Sequence, residues 1–145
     1  MNKNYYQKLA LSYTYYLLCK KGFNVLFVNN SNIDLFINSK KALVSYSLKT
    51  EHKTKKNNNE YIYNIWELNY NNIKEVDYDY LILVILENIE KEINEIGIFI
   101  FPKKIINKNL EKKTLTIFES DISGNYKKEP KFNKNFYFNN FTLIS

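Results

Sequence analysis

Hydrophobic and polar positions alternate with a period of two over much of the chain, which predicts a protein rich in β-strands. The clearest case is the stretch 33–50, where apolar side chains recur at every second position on both sides of the segment 38–40, which has turn chemistry. This stretch predicts two strands joined by a turn. Asp34 lies on the first strand and Lys49 on the second, and because side chains alternate between faces, Ser47 shares the face of Lys49.

One long helix and several further strands follow from the same kind of pattern. Residues 3–21 predict a helix whose buried stripe contains Leu9, Tyr13, Tyr16 and Leu17, because these positions recur at spacings of three and four. Strands are predicted at 23–29, 61–68, 77–86, 95–101, 114–119 and, as an aromatic edge strand, 135–144; short helices at 69–76 and 103–113; and polar loops at 51–60 and 121–134.

This order of elements predicts an α/β fold in a single domain that spans residues 1–145. We expect a central mixed sheet of five to seven strands, flanked by helices, with the long N-terminal helix on one face. The continuous apolar run within 77–86 is typical of a central strand covered on both faces, and Trp66 is predicted to pack into the core.

Composition narrows the class of partner. The 145-residue chain has a net charge of +6 and a pI near 9.2, which favours an anionic partner, nucleic acid first. The abundance of Asn, Lys, Ile and Tyr also resembles the codon bias of an AT-rich genome, so part of the lysine excess carries no functional message. The chain has no arginine, the residue that reads guanine bidentately, so we expect phosphate contacts and strong salt dependence.

Cysteine and histidine usage excludes several kinds of site. Cys19 is the only cysteine, which excludes an internal disulfide and a Cys-rich zinc site, and its place in the first helix predicts a buried thiol. His52 is the only histidine, so no histidine pair can bind a metal. No stretch reaches the length of a transmembrane helix and the N-terminus lacks the apolar core of a signal peptide, so we expect a cytoplasmic protein.

Several short motifs together carry a resemblance to a known family. A helix ends in Lys20-Lys21-Gly22-Phe23, Asp34 lies on a later strand, and the next strand closes in Leu48-Lys49-Thr50; the segments 79–84 and 98–102 follow. This order resembles the restriction-endonuclease-like, or PD-(D/E)XK, nuclease superfamily. The resemblance implies a restriction-endonuclease-like fold in which Asp34 binds Mg²⁺ and Lys49 orients water or stabilises charge on the scissile phosphate.

The active-site motif departs from that family in two places. Ser47 stands where the family has an acid or glutamine two residues before the lysine, and Leu11 stands where some members have a helical glutamate; Gln7, one turn earlier, is a poor substitute. Glu51 lies two residues beyond Lys49, on the same face if the strand continues. Asp34 and Glu51 are therefore the predicted metal ligands, and Asp34, Ser47, Lys49 and Glu51 the candidate catalytic set.

The predicted loop 51–60 is the most polar segment and a candidate nucleic-acid contact. Its basic residues are His52, Lys53, Lys55 and Lys56. A nuclease fold would present a loop at this point to the phosphates, whereas a solvated linker without a partner explains the same composition.

Three functions remain open at this stage. The degenerate motif favours a nucleic-acid-binding protein, with DNA ahead of RNA as the partner, that keeps a nuclease fold without an intact catalytic site. The second hypothesis is a working Mg²⁺-dependent endonuclease. A non-catalytic scaffold that binds a protein partner is the third, and the aromatic edge strand at 135–144 would also allow pairing into a homodimer.

Overall fold

The computed structural model describes residues 3–29, 32–69, 73, 77–109, 113–122 and 134–144. The helices are α1 (Lys3–Lys20), α2 (Lys103–Asn109) and α3 (Glu119–Ile122). The strands are β1 (Val25–Phe27), β2 (Leu35–Ile37), β3 (Lys40–Leu48), β4 (Thr50–Lys56), β5 (Asn59–Asn69), β6 (Tyr80–Ile89), β7 (Glu92–Pro102) and β8 (Thr114–Phe118).

Helix α1 buries a narrow stripe and ends in a tight cap. Ala10, Thr14 and Leu18 are fully buried at a spacing of four. The predicted stripe was wrong at Tyr16, whose side chain is 58% exposed. Gly22 (φ +91°) donates its N–H to Cys19 O, and Phe23 donates to Leu18 O, which is the Schellman arrangement that needs a left-handed residue after the helix. The prediction for Cys19 was also wrong, since it is exposed on the outer side of α1.

The larger sheet contains five of the strands in the order β1-β2-β3-β6-β7. β3 and β6 are parallel and the other pairs are antiparallel, so the sheet is mixed as predicted. β2 and β3 form the expected hairpin around Asn38 (φ 48°) and Ser39 (φ 70°), a pair of left-handed residues that closes a two-residue turn.

A second, three-stranded antiparallel sheet has the order β4-β5-β8, and it corrects the prediction for 51–60. That segment is a β-hairpin and not a loop: β4 pairs with β5 around Asn57 (φ 54°) and Asn58 (φ 64°). Its residues are exposed on both faces, so no apolar side chain is needed at alternate positions. A prediction that depends on hydrophobic alternation therefore has nothing to detect there.

Strand β6 separates two hydrophobic cores. Residues 81–86 are all fully buried. Ile82, Val84 and Leu86 pack towards α1, whereas the residues between them pack towards the second sheet and α2. Trp66 lies in the second core, as predicted, and donates its indole N–H to Leu86 O at 2.9 Å, which ties the two sheets together.

The C-terminal segment does not form the predicted aromatic edge strand. Residues 134–137 and 141–143 are short 3₁₀ helices, with one bridge between Phe138 and Phe99. Asn139 has a left-handed backbone (φ 50°), its Oδ1 accepts from Ile98 N at 3.0 Å, and its N–H donates to Ile98 O at 2.7 Å. The side chain thus supplies a bond that a strand neighbour would otherwise make, and the chain turns away.

The fold class is as predicted: an α/β fold with a mixed central sheet, flanking helices and a long N-terminal helix. The predicted helix 103–113 corresponds to α2, which covers Lys103–Asn109, and residues 110–112 lie outside the described residues. Most of the predicted helix 69–76 and of the predicted loop 121–134 lies outside the described residues. None of the helices that the structure describes combines the length and the apolarity needed to cross a membrane.

Gly97→Ala should destabilise the protein through the C-terminal segment. A Cβ at this position would lie 2.6 Å from Phe138 Cζ and 2.9 Å from Asn139 Oδ1. We expect a loss of about 2 kcal/mol in the free energy of unfolding, measured by urea titration with circular dichroism.

The double variant Gly97→Ala/Phe138→Leu supplies the control. Because the shorter side chain relieves the closest contact, Gly97→Ala should cost less in the Phe138→Leu background than alone. Equal costs in both backgrounds would contradict the proposed clash.

Candidate functional site

A cavity of about 300 Å³ lies beside the start of β2, at the level where the first hairpin meets α1. Its polar lining comes from three separate parts of the chain: Gln7 on α1, Asn32 and Asp34 before β2, and Ser45 on β3. The remaining lining is apolar and consists of Leu43, Val44, Ile73 and Leu81.

Asp34 is positioned by the hairpin. Its N–H donates to Ala42 O at 3.0 Å, and its Oδ2 accepts from Val44 N at 2.8 Å. Because Leu35 pairs with Ala42, Asp34 lies level with Leu43, one residue before β2 begins. The carboxylate thus takes the place of a backbone acceptor at the point where β3 loses its strand neighbour.

Gln7 on α1 supplies the second side-chain bond to Val44. Its Nε2 donates to Val44 O at 2.9 Å. The N–H and the C=O of Val44 have no partner on β2, and they are bonded instead to the carboxylate of Asp34 and the amide of Gln7. These contacts hold Gln7 and Asp34 at one end of the cavity.

The register keeps Asp34 apart from the other members of the predicted catalytic set. Asp34 lies level with Leu43, and Lys49 is six residues further along, which is about 20 Å in an extended strand. Lys49 Nζ instead forms an ion pair with Glu87 Oε2 at 3.1 Å. Ser47 is buried and donates its hydroxyl to Glu67 O at 2.8 Å.

Glu51 also lies away from the cavity. It is an exposed residue of β4, in the second sheet, opposite Asn64. The structure therefore brings Asp34 together with Gln7 and Ser45, and it does not bring Asp34 together with Lys49 or Glu51.

The side chains around the cavity meet the needs of a magnesium ion only in part. Among the described residues no three His, Cys, Asp or Glu side chains are grouped so that they could hold a metal. The cavity offers one carboxylate, from Asp34, with the amides of Gln7 and Asn32 and the hydroxyl of Ser45. Mg²⁺ is bound through one or two carboxylates with waters and substrate phosphates, so this set is at the lower limit and does not define a metal site by itself.

The four basic residues predicted to contact nucleic acid lie together on β4, the outer strand of the second sheet. Strands β4 and β5 form a ribbon that is exposed from residue 51 to residue 63. The ribbon has two different faces because directly opposed residues point the same way. Lys53 and Lys55 share one face with Glu51 and Glu60, and Lys53 Nζ is 4.0 Å from Glu60 Oε1.

The opposite face of the ribbon contains no acidic residue. His52, Thr54 and Lys56 on β4 oppose Tyr63, Tyr61 and Asn59 on β5. The rings of His52 and Tyr63 lie 5.7 Å apart, and Tyr61 is 50% exposed. We call this surface the aromatic face of the ribbon.

Sequence reasoning missed Ser45 and discounted Gln7. Gln7 was dismissed because the family pattern places its helical acid at Leu11, yet Gln7 is the α1 residue bonded to β3 beside Asp34. The signal that could have found Ser45 is the position of the turn. A turn at Asn38 and Ser39 places Asp34 level with Leu43, and Ser45 lies two residues further along β3 on the same face.

The architecture is shared with a protein of solved structure. A solved structure that shares it is that of the bacterial homing endonuclease I-Ssp6803I, with a TM-score of 0.59 over 99% of this chain and 93% of that chain, at 15% sequence identity. At this identity the likeness shows a shared fold. No family model matches the sequence, and no curated protein matches it either.

Two replacements of Asp34 should distinguish the stabilising effect of its hydrogen bond to Val44 from the effect of its negative charge. In Asp34→Ala the N–H of Val44 loses its acceptor, so we expect a loss of about 1–3 kcal/mol in the free energy of unfolding. Asp34→Asn keeps an acceptor oxygen at the same place and should lose clearly less. Thermal unfolding of both variants by calorimetry measures the difference, and equal losses would show that the bond to Val44 does not stabilise the fold.

Proposed function

We propose that the protein binds nucleic acid, DNA ahead of RNA, through the β4–β5 ribbon, and that it does so on an endonuclease fold whose catalytic set is incomplete. The observation that carries this proposal is the ribbon itself: an exposed two-stranded arm with His52, Lys53, Lys55 and Lys56 on its outer strand. The shared fold with a homing endonuclease supports the same class of partner.

The dimensions of the ribbon suit a duplex groove. The major groove of B-DNA admits a two-stranded β-ribbon, and the six β4 residues from Glu51 to Lys56 extend about 20 Å at the rise of an antiparallel strand. The lysines act as point charges on phosphates, since lysine does not make the forked contact of arginine. We therefore expect an affinity dominated by phosphate contacts.

The distribution of charge selects the face of the ribbon that meets the bases. On one face the two lysines are offset by Glu51 and Glu60, whereas the aromatic face has His52 and Lys56 and no acid. An acidic side chain pressed against DNA is repelled by the phosphates, so the aromatic face is the one that enters the groove. Tyr61 and Tyr63 then lie against the bases and sugars.

The catalytic part of the proposal rests on the PD-(D/E)XK pattern and the register. Asp34 corresponds to the metal-binding acid of that superfamily. On β3, Ser45 lines the cavity, and Ser47 stands in the place of the family's second acid, so neither residue supplies a carboxylate. With serines there, and with Lys49 and Glu51 distant, Mg²⁺ would have Asp34 as its one acidic ligand, so the protein holds nucleic acid without cutting it efficiently.

A scaffold that binds a protein partner is the second candidate, and one feature favours it. On the edge strand β1, Leu26 and Phe27 are more than half exposed, and Tyr15 of α1 stacks on Phe27 at 4.7 Å between ring centroids. An exposed apolar edge strand is a common place for β-pairing with another chain.

Neutralising the ribbon lysines should weaken DNA binding and reduce its salt dependence. For Lys53→Gln/Lys55→Gln/Lys56→Gln we expect the slope of log K against log salt to become less negative by about 0.9 for each lysine that contacts a phosphate, and therefore by at least about 0.9, since Lys56 lies on the face that enters the groove. Fluorescence anisotropy of a labelled duplex at several salt concentrations measures this. The matched control, Lys8→Gln/Lys20→Gln/Lys91→Gln, removes the same charge from α1 and the β6–β7 turn and should keep most of the slope.

Two outcomes of that experiment would count against the proposal. If both triple variants lose the same slope, the binding reflects net charge and not the ribbon. If the wild type does not bind duplex or single-stranded nucleic acid at low salt, the protein-partner candidate gains support.

Cleavage is tested separately on supercoiled plasmid with Mg²⁺, with Mn²⁺ and with chelator. We expect binding without nicking in all three, for the wild type as for Asp34→Asn. Metal-dependent nicking that Asp34→Asn abolishes would show that the site is complete in the presence of the substrate, and the non-catalytic part of the proposal would then be wrong.

A further inference from the structure

A second cavity, of about 530 Å³, lies at the opposite end of β7 from the tight β6–β7 turn. It forms where β3 and β6 begin and where β7 passes into α2, and the C-terminal segment covers one side. Its volume is in the range of sites that hold small ligands. None of the ribbon residues lines it, so it is separate from the proposed DNA-binding arm.

Three lysines from two separate parts of the chain line this cavity. Lys40 begins β3, and Lys104 and Lys108 lie one turn apart on the same face of α2. All three are exposed, and none forms an ion pair with another residue that the structure describes. Asp79 is the one acidic residue in the described lining, which leaves two positive charges in excess.

Asp79 is already bound to the framework of the cavity. Its Oδ2 accepts from Lys41 N at 2.8 Å, its N–H donates to Lys41 O at 2.8 Å, and its carbonyl accepts from Lys103 N at 3.0 Å. These bonds join β3, β6 and the start of α2 at the cavity wall. The carboxylate therefore holds the cavity wall together, and its charge offsets one of the three lysines.

The other wall of the cavity is aromatic. Phe136 is 53% exposed, and its ring meets Tyr137 edge-on with 5.1 Å between the ring centroids. Burial raises the pKa of the Tyr137 phenol, so this side chain stays neutral and adds no negative charge to the lining. Phe136 presents a ring to the cavity, where a flat ligand can stack.

We propose that this cavity binds one nucleotide, with its phosphate between Lys40, Lys104 and Lys108 and its base against Phe136. Lysines attract phosphate as point charges, and a base stacks on an aromatic ring whatever its identity. A nucleotide has both chemistries at a separation that one cavity of this size can span. The same chemistry is presented by a free mononucleotide and by one residue of a single strand.

The experiment measures binding of a fluorescent adenosine monophosphate analogue and of a labelled single-stranded pentanucleotide by anisotropy. Lys104→Gln/Lys108→Gln should weaken binding about tenfold or more, because two charged contacts to phosphate are lost. The control Lys20→Gln/Lys91→Gln, with the same change in charge, should stay within about twofold of the wild type. Both pairs lie on exposed positions, and circular dichroism checks that each variant is folded.

Phe136→Leu separates stacking from charge. Loss of the ring should weaken nucleotide binding about fivefold or more, whereas inorganic pyrophosphate, used as a competitor, should keep its inhibition constant within about twofold. If both fluorescent ligands bind, a free nucleotide is sufficient to occupy the cavity. If only the pentanucleotide binds, the cavity holds a nucleotide that is part of a single strand. Either result supports the site.

The proposal fails if neither fluorescent ligand binds saturably, if the control pair weakens binding as much as the cavity pair, or if Phe136→Leu has no effect on nucleotide binding. The ribbon triple variant should retain mononucleotide binding. Failure of this proposal is therefore distinguishable from failure of the ribbon proposal, which is measured on duplex DNA.

Discussion

The parallel pairing of β3 with β6 is the constraint on which the rest of the structure depends. It places the apolar run 81–86 at the centre of the mixed sheet, buried on both faces. Because β6 is buried on both faces, it contributes side chains to two hydrophobic cores. Helix α1 covers one core, and the second sheet with α2 covers the other. Every functional element described above is attached to this pair, because the Asp34 cavity, the lysine cavity and the junction with the ribbon all include β3 or β6.

The fold could be predicted where hydrophobic burial determines the pattern. The central strand, the first hairpin and the long helix all have apolar residues at the period that their burial requires. The hairpin at 51–60 could not be found this way, because a ribbon exposed on both faces has no buried side and hence no hydrophobic alternation. The prediction for the C-terminal segment was wrong for the opposite reason, because its aromatic residues have the pattern of a strand. Asn139 supplies a side-chain acceptor to Ile98 N, and the pairing with β7 ends after a single bridge.

The candidate site shows a different limit. Motif spacing predicted that Asp34 and Lys49 belong to one catalytic site, because the family motif is defined by the order and spacing of residues in the sequence. In a hairpin, however, proximity depends on the turn: residues on the two strands are neighbours when their numbers add to a fixed sum, here the sum that pairs Leu35 with Ala42. Lys49 lies six residues beyond Leu43, the residue level with Asp34, and forms its ion pair with Glu87 on β6 instead. Gln7 was discounted for a similar reason, since the position of a helix against a strand is set by packing and not by its spacing from a glycine.

Trp66 gives the molecule a property that follows from its position between the two sheets. It is the only tryptophan in the chain, it is buried, and its indole N–H is bonded to Leu86 O at 2.9 Å. Its intrinsic fluorescence therefore observes one place, the seam along which the ribbon-bearing sheet is joined to β6. Opening of that seam would move the indole into water and shift its emission to the red, while fraying at the Asn57–Asn58 tip would leave the emission unchanged. The chain thus contains its own optical reporter of whether the arm is still anchored to the core.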